Sequence, residues 1–256
     1  MPYLVFSLSK HLPMTKLAPF VLFIFLFASC KKEDAALSPF ASTPHETVVS
    51  YDDQGRPTNM ARDVISANLL SFIATNLPDG KDMRTSHPEY LNNPAIADIG
   101  VTKKSDIFIT FISQATNSRN ALAFYTYSSA APPASVSDIK SFTYIFPNAG
   151  NNPPLQAGDK VKLGTFEAGI SVGLVLLKDA WNPTAKKPDN NTVHFLSNDV
   201  LNPEADAALK KHAVLVPYNQ NQENKILIGF EDVNRTLPNC DHDFSDLILY
   251  ATVVNP

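Results

Sequence analysis

The chain has 256 residues, 44% of them apolar, with 20 prolines against nine glycines and a formal net charge of −4. That length admits one sizeable domain or two small ones, and the proline excess favours short strands and turns over long helices. The balance falls to about −6 once the segment before Cys30, with Lys10 and Lys16, is removed, which argues against the basic face that nucleic acid requires.

Residues 1–29 read as an export signal. Lys16 precedes the apolar run Leu17 to Phe27, which is short for a bilayer span, and Ala28-Ser29-Cys30 closes it. Phe27-Ala28-Ser29-Cys30 resembles the bacterial lipobox, with aromatic Phe27 where a small aliphatic residue is usual. The resemblance implies that Cys30 is diacylated on sulfur and becomes the mature N-terminus. A plain signal peptide or an anchor helix is the other reading. Met14 offers an alternative start to Met1. Lys31-Lys32-Glu33-Asp34 resembles the surface-export signals of Bacteroidota lipoproteins. The expected location is therefore the cell envelope, as an outer-membrane lipoprotein held to the membrane by its lipid, with two readings open: display at the cell surface, or a periplasmic face with Lys31 to Asp34 as a solvated spacer. Residues 30–50, with Pro39 and Pro44, lack periodicity and read as a flexible tether, leaving 51–256 as one domain. With Cys30 lipidated, Cys240 has no disulfide partner.

Tyr51 to Pro57 is rich in turn formers. Between Asn59 and Asn76, Val64, Ile65, Leu69, Phe72 and Ile73 recur at helical spacing, and Pro78-Asp79-Gly80 ends the pattern. One helix is expected there, laid over an end or edge of the strands after it. Short β-rich runs then succeed one another: Ile107 to Ile112, Ala121 to Tyr127, Ile139 to Phe146, Val161 to Leu163, Ile170 to Leu177, Thr192 to Leu196, Ala213 to Val216, Lys225 to Phe230 and Asp246 to Val254. Turn signals separate them. This pattern predicts a mainly β protein, an antiparallel β-sandwich with a jelly-roll-like path and one N-terminal helix packed on it.

With the strands placed, the chain resembles the LruC-type domain of bacterial lipoproteins and secreted proteins, which contains the domain of unknown function 4114. The resemblance rests on Gly55-Arg56-Pro57, Leu77-Pro78, Asp106 to Phe111, Asn120 to Tyr127 ending in Tyr-Thr-Tyr, and Ile145-Phe146-Pro147-Asn148. It continues through Gly158 to Gly164, Leu201-Asn202-Pro203-Glu204, His212, Gly229-Phe230-Glu231-Asp232 and the aspartates Asp241, Asp243 and Asp246. It spans nearly all of the chain from Tyr51 onward. Two positions depart from the pattern: Ala115 to Arg119 lacks the expected glycine turn, and Ser245 stands for asparagine. The family implies no settled activity.

The densest charge in the chain lies near its end. Glu231 and Asp232 close one strand; Asp241, Asp243 and Asp246 lead into the next. Clustered hard oxygens suit calcium, which takes six to eight oxygen ligands with loose geometry, although the spacing is not that of an EF-hand. Consecutive residues of a strand point to opposite faces, so one of Glu231 and Asp232 is expected to face away from the cluster. The competing reading needs no metal: aspartates cap their own turns, and Arg235 neutralises them as a bidentate partner. His242 reads as a surface histidine rather than a transition-metal ligand. His45, His87, His194 and His212 show no metal-ligand spacing. Cys240 reads as a half-buried, inert thiol.

No nucleophile elbow, phosphate loop, zinc signature or dinucleotide fingerprint is present, and no catalytic residue is assigned. Trp181, the one tryptophan, reads either as a platform for stacking a sugar or as a cover over the core. Two functions remain open: a non-catalytic, lipid-anchored envelope protein for adhesion or ligand binding with a structural calcium site, or a carbohydrate-binding or carbohydrate-active module.

Overall fold

A computed structural model describes residues 1, 3, 39–93 and 97–256. The export signal and Cys30 lie outside the described residues. In chain order the elements are β1 (His45–Thr47), β2 (Ala61–Arg62), α1 (Ala67–Asn76), α2 (Met83–Ser86), α3 (Pro88–Leu91), β3 (Ile99–Gly100), β4 (Ser105–Ser113), β5 (Ala121–Ser128) and β6 (Phe142–Phe146). They continue with β7 (Asp159–Phe166), β8 (Ile170–Leu177), β9 (Trp181–Asn182), β10 (Lys187–Pro188), β11 (His194–Leu196), β12 (Ala213–Gln220), β13 (Glu223–Phe230) and β14 (Leu247–Val254).

These strands form a β-sandwich. One sheet runs β1-β6-β5-β8-β11, with β3 also on β8; the other runs β12-β13-β14-β4-β7-β2. All described pairings are antiparallel except β1 with β6. Period-two alternation aims one face of each strand inward. Leu122, Phe124, Leu174 and Leu176 of the first sheet meet Ile107, Ile109, Val161, Ile228, Phe230 and Leu249 of the second in one buried core. The strand orders establish the sandwich and not the finer jelly-roll path.

The second sheet is apolar on its outer face too, where Val214, Val216, Tyr218, Leu227, Ile248 and Tyr250 lie under Leu69, Ile73 and Leu77. The helix therefore covers a sheet face, not an end or edge. It is also shorter than the apolar spacing implies. The Ser66 hydroxyl accepts from the Leu69 amide (3.1 Å) and starts α1, and Val64 upstream is 87% exposed.

The packed domain starts earlier than residue 51. Phe40 is 1% exposed within a cluster that includes Ala123, Tyr125, Phe142, Val175 and Leu177 on the outer face of the first sheet. His45 to Thr47 pair with Phe142 to Tyr144. A three-residue strand joined in parallel to a sheet edge has no periodicity that a sequence reading detects, so residues 39–50, expected as tether, are part of the fold. Among the described residues no helix is long and apolar enough to cross a membrane.

Candidate metal centre on the last hairpin

β13 and β14 pair up to Phe230 opposite Leu247. Continuing that register puts Glu231 opposite Asp246, where the strands part around the loop 232–245. The loop folds back over β13. A Cβ at Gly229 would stand 2.5 Å from the Phe244 carbonyl oxygen and 2.8 Å from Leu77, so only glycine lets the loop lie this close. His242 and Phe244 both take left-handed backbone (φ 59°), a conformation that costs a non-glycine residue on the order of 1 kcal/mol or more.

This path brings carboxylate oxygens of Glu231, Asp241 and Asp243 within 4.8 Å of one another. Glu231 is 1% and Asp243 2% exposed, whereas Asp241 lies at the surface. The Asp243 carboxylate accepts from the amides of Gly80 (2.6 Å) and Ser245 (2.7 Å) and from the Ser245 hydroxyl (3.0 Å). That hydroxyl also lies 3.3 Å from Asp79 Oδ1, so the turn that ends α1 adds a further carboxylate beside the cluster. The Met83 amide donates to the His242 carbonyl (2.9 Å) and ties the same turn down.

Asp232, one residue on, faces the other way. Its Oδ2 accepts from Thr116 Oγ1 (2.5 Å) and Asn120 Nδ2 (2.6 Å), while its amide donates to Asp246 Oδ2 (2.7 Å). Asp232 and Asp246 thus support the triad from behind and are not part of it. Asp79, Thr116 and Asn120 escape a sequence reading, since they reach the site only through the packing of α1 and of the loop before β5.

The electrostatics are those of a site short of positive charge. Burial first, then the charges of Asp241 and Asp243, pushes the Glu231 carboxyl up, and burial, then Asp232 and Glu231, pushes up that of Asp246. Burial and Asp243 raise Asp241 as well. Among the described residues no ion pair reaches any of these acids. Arg235, expected as their bidentate partner, is directed elsewhere. Its Nε donates to His242 Nδ1 (3.2 Å), its Nη1 to the Lys211 carbonyl (3.0 Å), and its guanidinium lies 5.1 Å from the centre of the Phe244 ring. Glu231 Oε2, fully buried, has no hydrogen-bond partner. A buried carboxylate with an unpaired oxygen, grouped with two further carboxylates, fits a cation. The triad is therefore placed to hold a metal ion.

His242 is not a surface residue: it is 4% exposed, and burial, Arg84 and Arg235 lower its pKa. Burial pushes the Cys240 thiol up to about 12, so it is a poor nucleophile. Trp181 is 5% exposed and meets the Tyr51 ring edge-on at 6.1 Å. A stacking platform needs an open ring face, and little of one remains. The cleft beside it, about 290 Å³, is lined by Asp53, Gln54, Asn148, Pro153, Pro154 and Pro183.

Residues 166–253, from the end of β7 into β14, match the family described as a domain of unknown function, DUF4114. The match bears out the resemblance to that domain over these residues and does not extend to the LruC-type name. No curated protein and no solved structure matches the chain.

Proposed function

We propose that this is a non-catalytic, lipid-anchored protein of the cell envelope, whose β-sandwich serves adhesion or ligand binding and is pinned at its last hairpin by a bound calcium ion. The observation that supports the calcium site most is the buried triad Glu231, Asp241 and Asp243, with one orphaned oxygen on Glu231 and no ion pair among the described residues. The ligand set is all oxygen. Calcium holds oxygens at 2.3–2.6 Å, so two oxygens on opposite sides of one ion stand up to roughly 5 Å apart, and the triad fits inside that span without moving. A bound ion would tie the end of β13 to the loop into β14, and the turn after α1 follows through the Gly80 amide on Asp243.

The anchor part of the proposal rests on the lipobox-like Phe27 to Cys30 and the charged residues after it. An acidic, tethered module favours soluble or surface-displayed ligands over nucleic acid. The buried Trp181 gives a carbohydrate module little to stack on. Calorimetric titration of the full-length protein in detergent should find one calcium site, weakened at least tenfold in Asp241→Asn. Incorporation of labelled palmitate in a lipoprotein-processing bacterial host should vanish in Cys30→Ala. No heat of calcium binding, or lipid label retained in Cys30→Ala, would contradict the corresponding half of the proposal.

A further inference from the structure

β1 and β11 stand at opposite ends of the strand order in their sheet. Yet His45 of β1 and His194 of β11, 149 residues apart in sequence, meet with 3.2 Å between their Nε2 atoms. Each ring is fixed from behind: His45 Nδ1 lies 2.7 Å from the Thr43 carbonyl oxygen and His194 Nδ1 2.8 Å from that of Thr192. Phe142 flanks both rings, with centroids at 5.2 and 5.5 Å, and Phe40 stacks on His194 at 5.4 Å.

Three contacts here each need a hydrogen or a cation. A carbonyl oxygen only accepts, so each Nδ1 must carry a hydrogen, and a neutral imidazole has only one. The two Nε2 lone pairs then face each other. Facing lone pairs repel, and a third proton or a metal ion between the two nitrogens would turn this repulsion into attraction. The proton is disfavoured by the apolar surroundings.

A metal ion brings charge into the same surroundings, but its coordinate bonds to the two nitrogens offset that cost. Histidines that bind metal through one ring nitrogen commonly donate the other N–H to a backbone carbonyl, as both do here. Two nitrogens bound tetrahedrally at 2.0–2.1 Å stand about 3.3 Å apart, against 3.2 Å in this structure. Imidazole selects zinc, copper or nickel over calcium or magnesium. His45 is half-buried, which leaves room for water to complete the coordination shell. We propose that His45 and His194 form a binding site for one divalent ion of the zinc–copper class, which clasps the first strand after Phe40 to the far edge of its sheet. This site stands independently of the acidic one.

The test uses the untagged full-length protein in detergent at neutral pH, with calcium in excess to fill the acidic site. Zinc is titrated in competition with a chromophoric chelator. Wild type and Asp243→Asn should each take up one equivalent, and His45→Gln and His194→Gln should bind at least tenfold more weakly. Zinc uptake that is absent in wild type, or unchanged in both histidine variants, overturns the proposal. So does a wild type that ignores zinc but gains thermal stability between pH 7 and pH 5, with the gain lost in His45→Gln, because the pair then shares a proton. Should both variants unfold, X-ray absorption of zinc-loaded wild type decides: two imidazole nitrogens near the metal support the site, and an all-oxygen shell overturns it.

Discussion

Glu231 and Asp246 are the next opposed pair beyond Phe230 and Leu247 on the last hairpin, and burial together with neighbouring acidic charge raises the pKa of both. Two ionised carboxylates in one buried place repel; a proton on one, or a cation among the acids, relieves this. This relationship sets the pH behaviour of the domain. Both folded pKa values are raised above their ordinary ones, so in chelator the pair stabilises the fold most at low pH, below the unfolded values. That stability is lost as pH rises through the raised folded values. The melting midpoint in chelator should therefore climb as pH falls from about 8 to about 5, and excess calcium should cancel or reverse the slope. His194, with its lowered pKa, contributes with the opposite sign, so the informative quantity is the difference from Glu231→Gln.

Glu231→Gln should behave unlike an ordinary core substitution. An amide donates to Asp246 without the second charge. Relief of opposed like charges across a strand pair is worth up to about 1 kcal/mol. The variant should therefore melt at or above wild type in chelator and lose its calcium response. A variant less stable than wild type in chelator would contradict the like-charge account.

Asn120 holds the back of the site: its amide donates to Asp232 and its carbonyl oxygen accepts from the Asp179 amide (2.9 Å). Asn120→Ala leaves a buried carboxylate and a backbone amide each short of a partner, at a cost of about 2–4 kcal/mol. Urea denaturation should show this loss in calcium and in chelator alike, since Asp232 does not belong to the triad.

Gly229→Ala places a methyl against the Phe244 carbonyl and Leu77. The loop must lift, at about 1–3 kcal/mol, and Asp241 and Asp243 lift with it. Calcium affinity should fall together with stability in this variant, although no ligand is altered. Stability lost with affinity unchanged would mean that the loop does not position the triad.

Much of this was legible because it is local. The strands of the sandwich show as β-rich runs between turns, and the acids cluster in sequence before they cluster in space. The opposite facing of Glu231 and Asp232 follows from strand geometry alone. What was not legible depends on distant packing. Arg235 reads as the natural partner of the aspartates, yet carbonyls on the loop before β12 and the Phe244 ring take it away. His242 reads as exposed because nothing nearby in sequence shows that the turn after α1 covers it. Residues 39–50 look like tether because a short parallel edge strand leaves no pattern. His45 and His194 show no ligand spacing because the fold, and not the sequence, brings them together.

The most direct test is the melting midpoint of the full-length protein, wild type and Asp243→Asn, each in calcium and in chelator. A ligand at about a hundred times its dissociation constant adds about 2.7 kcal/mol, or about 5–10 °C for a domain of this size. Wild type should show that rise in calcium, and Asp243→Asn should show none. Equal midpoints for wild type in the two buffers, with Asp243→Asn lower by the same amount in both, would contradict a calcium site and leave Asp243 as a cap for Gly80 and Ser245.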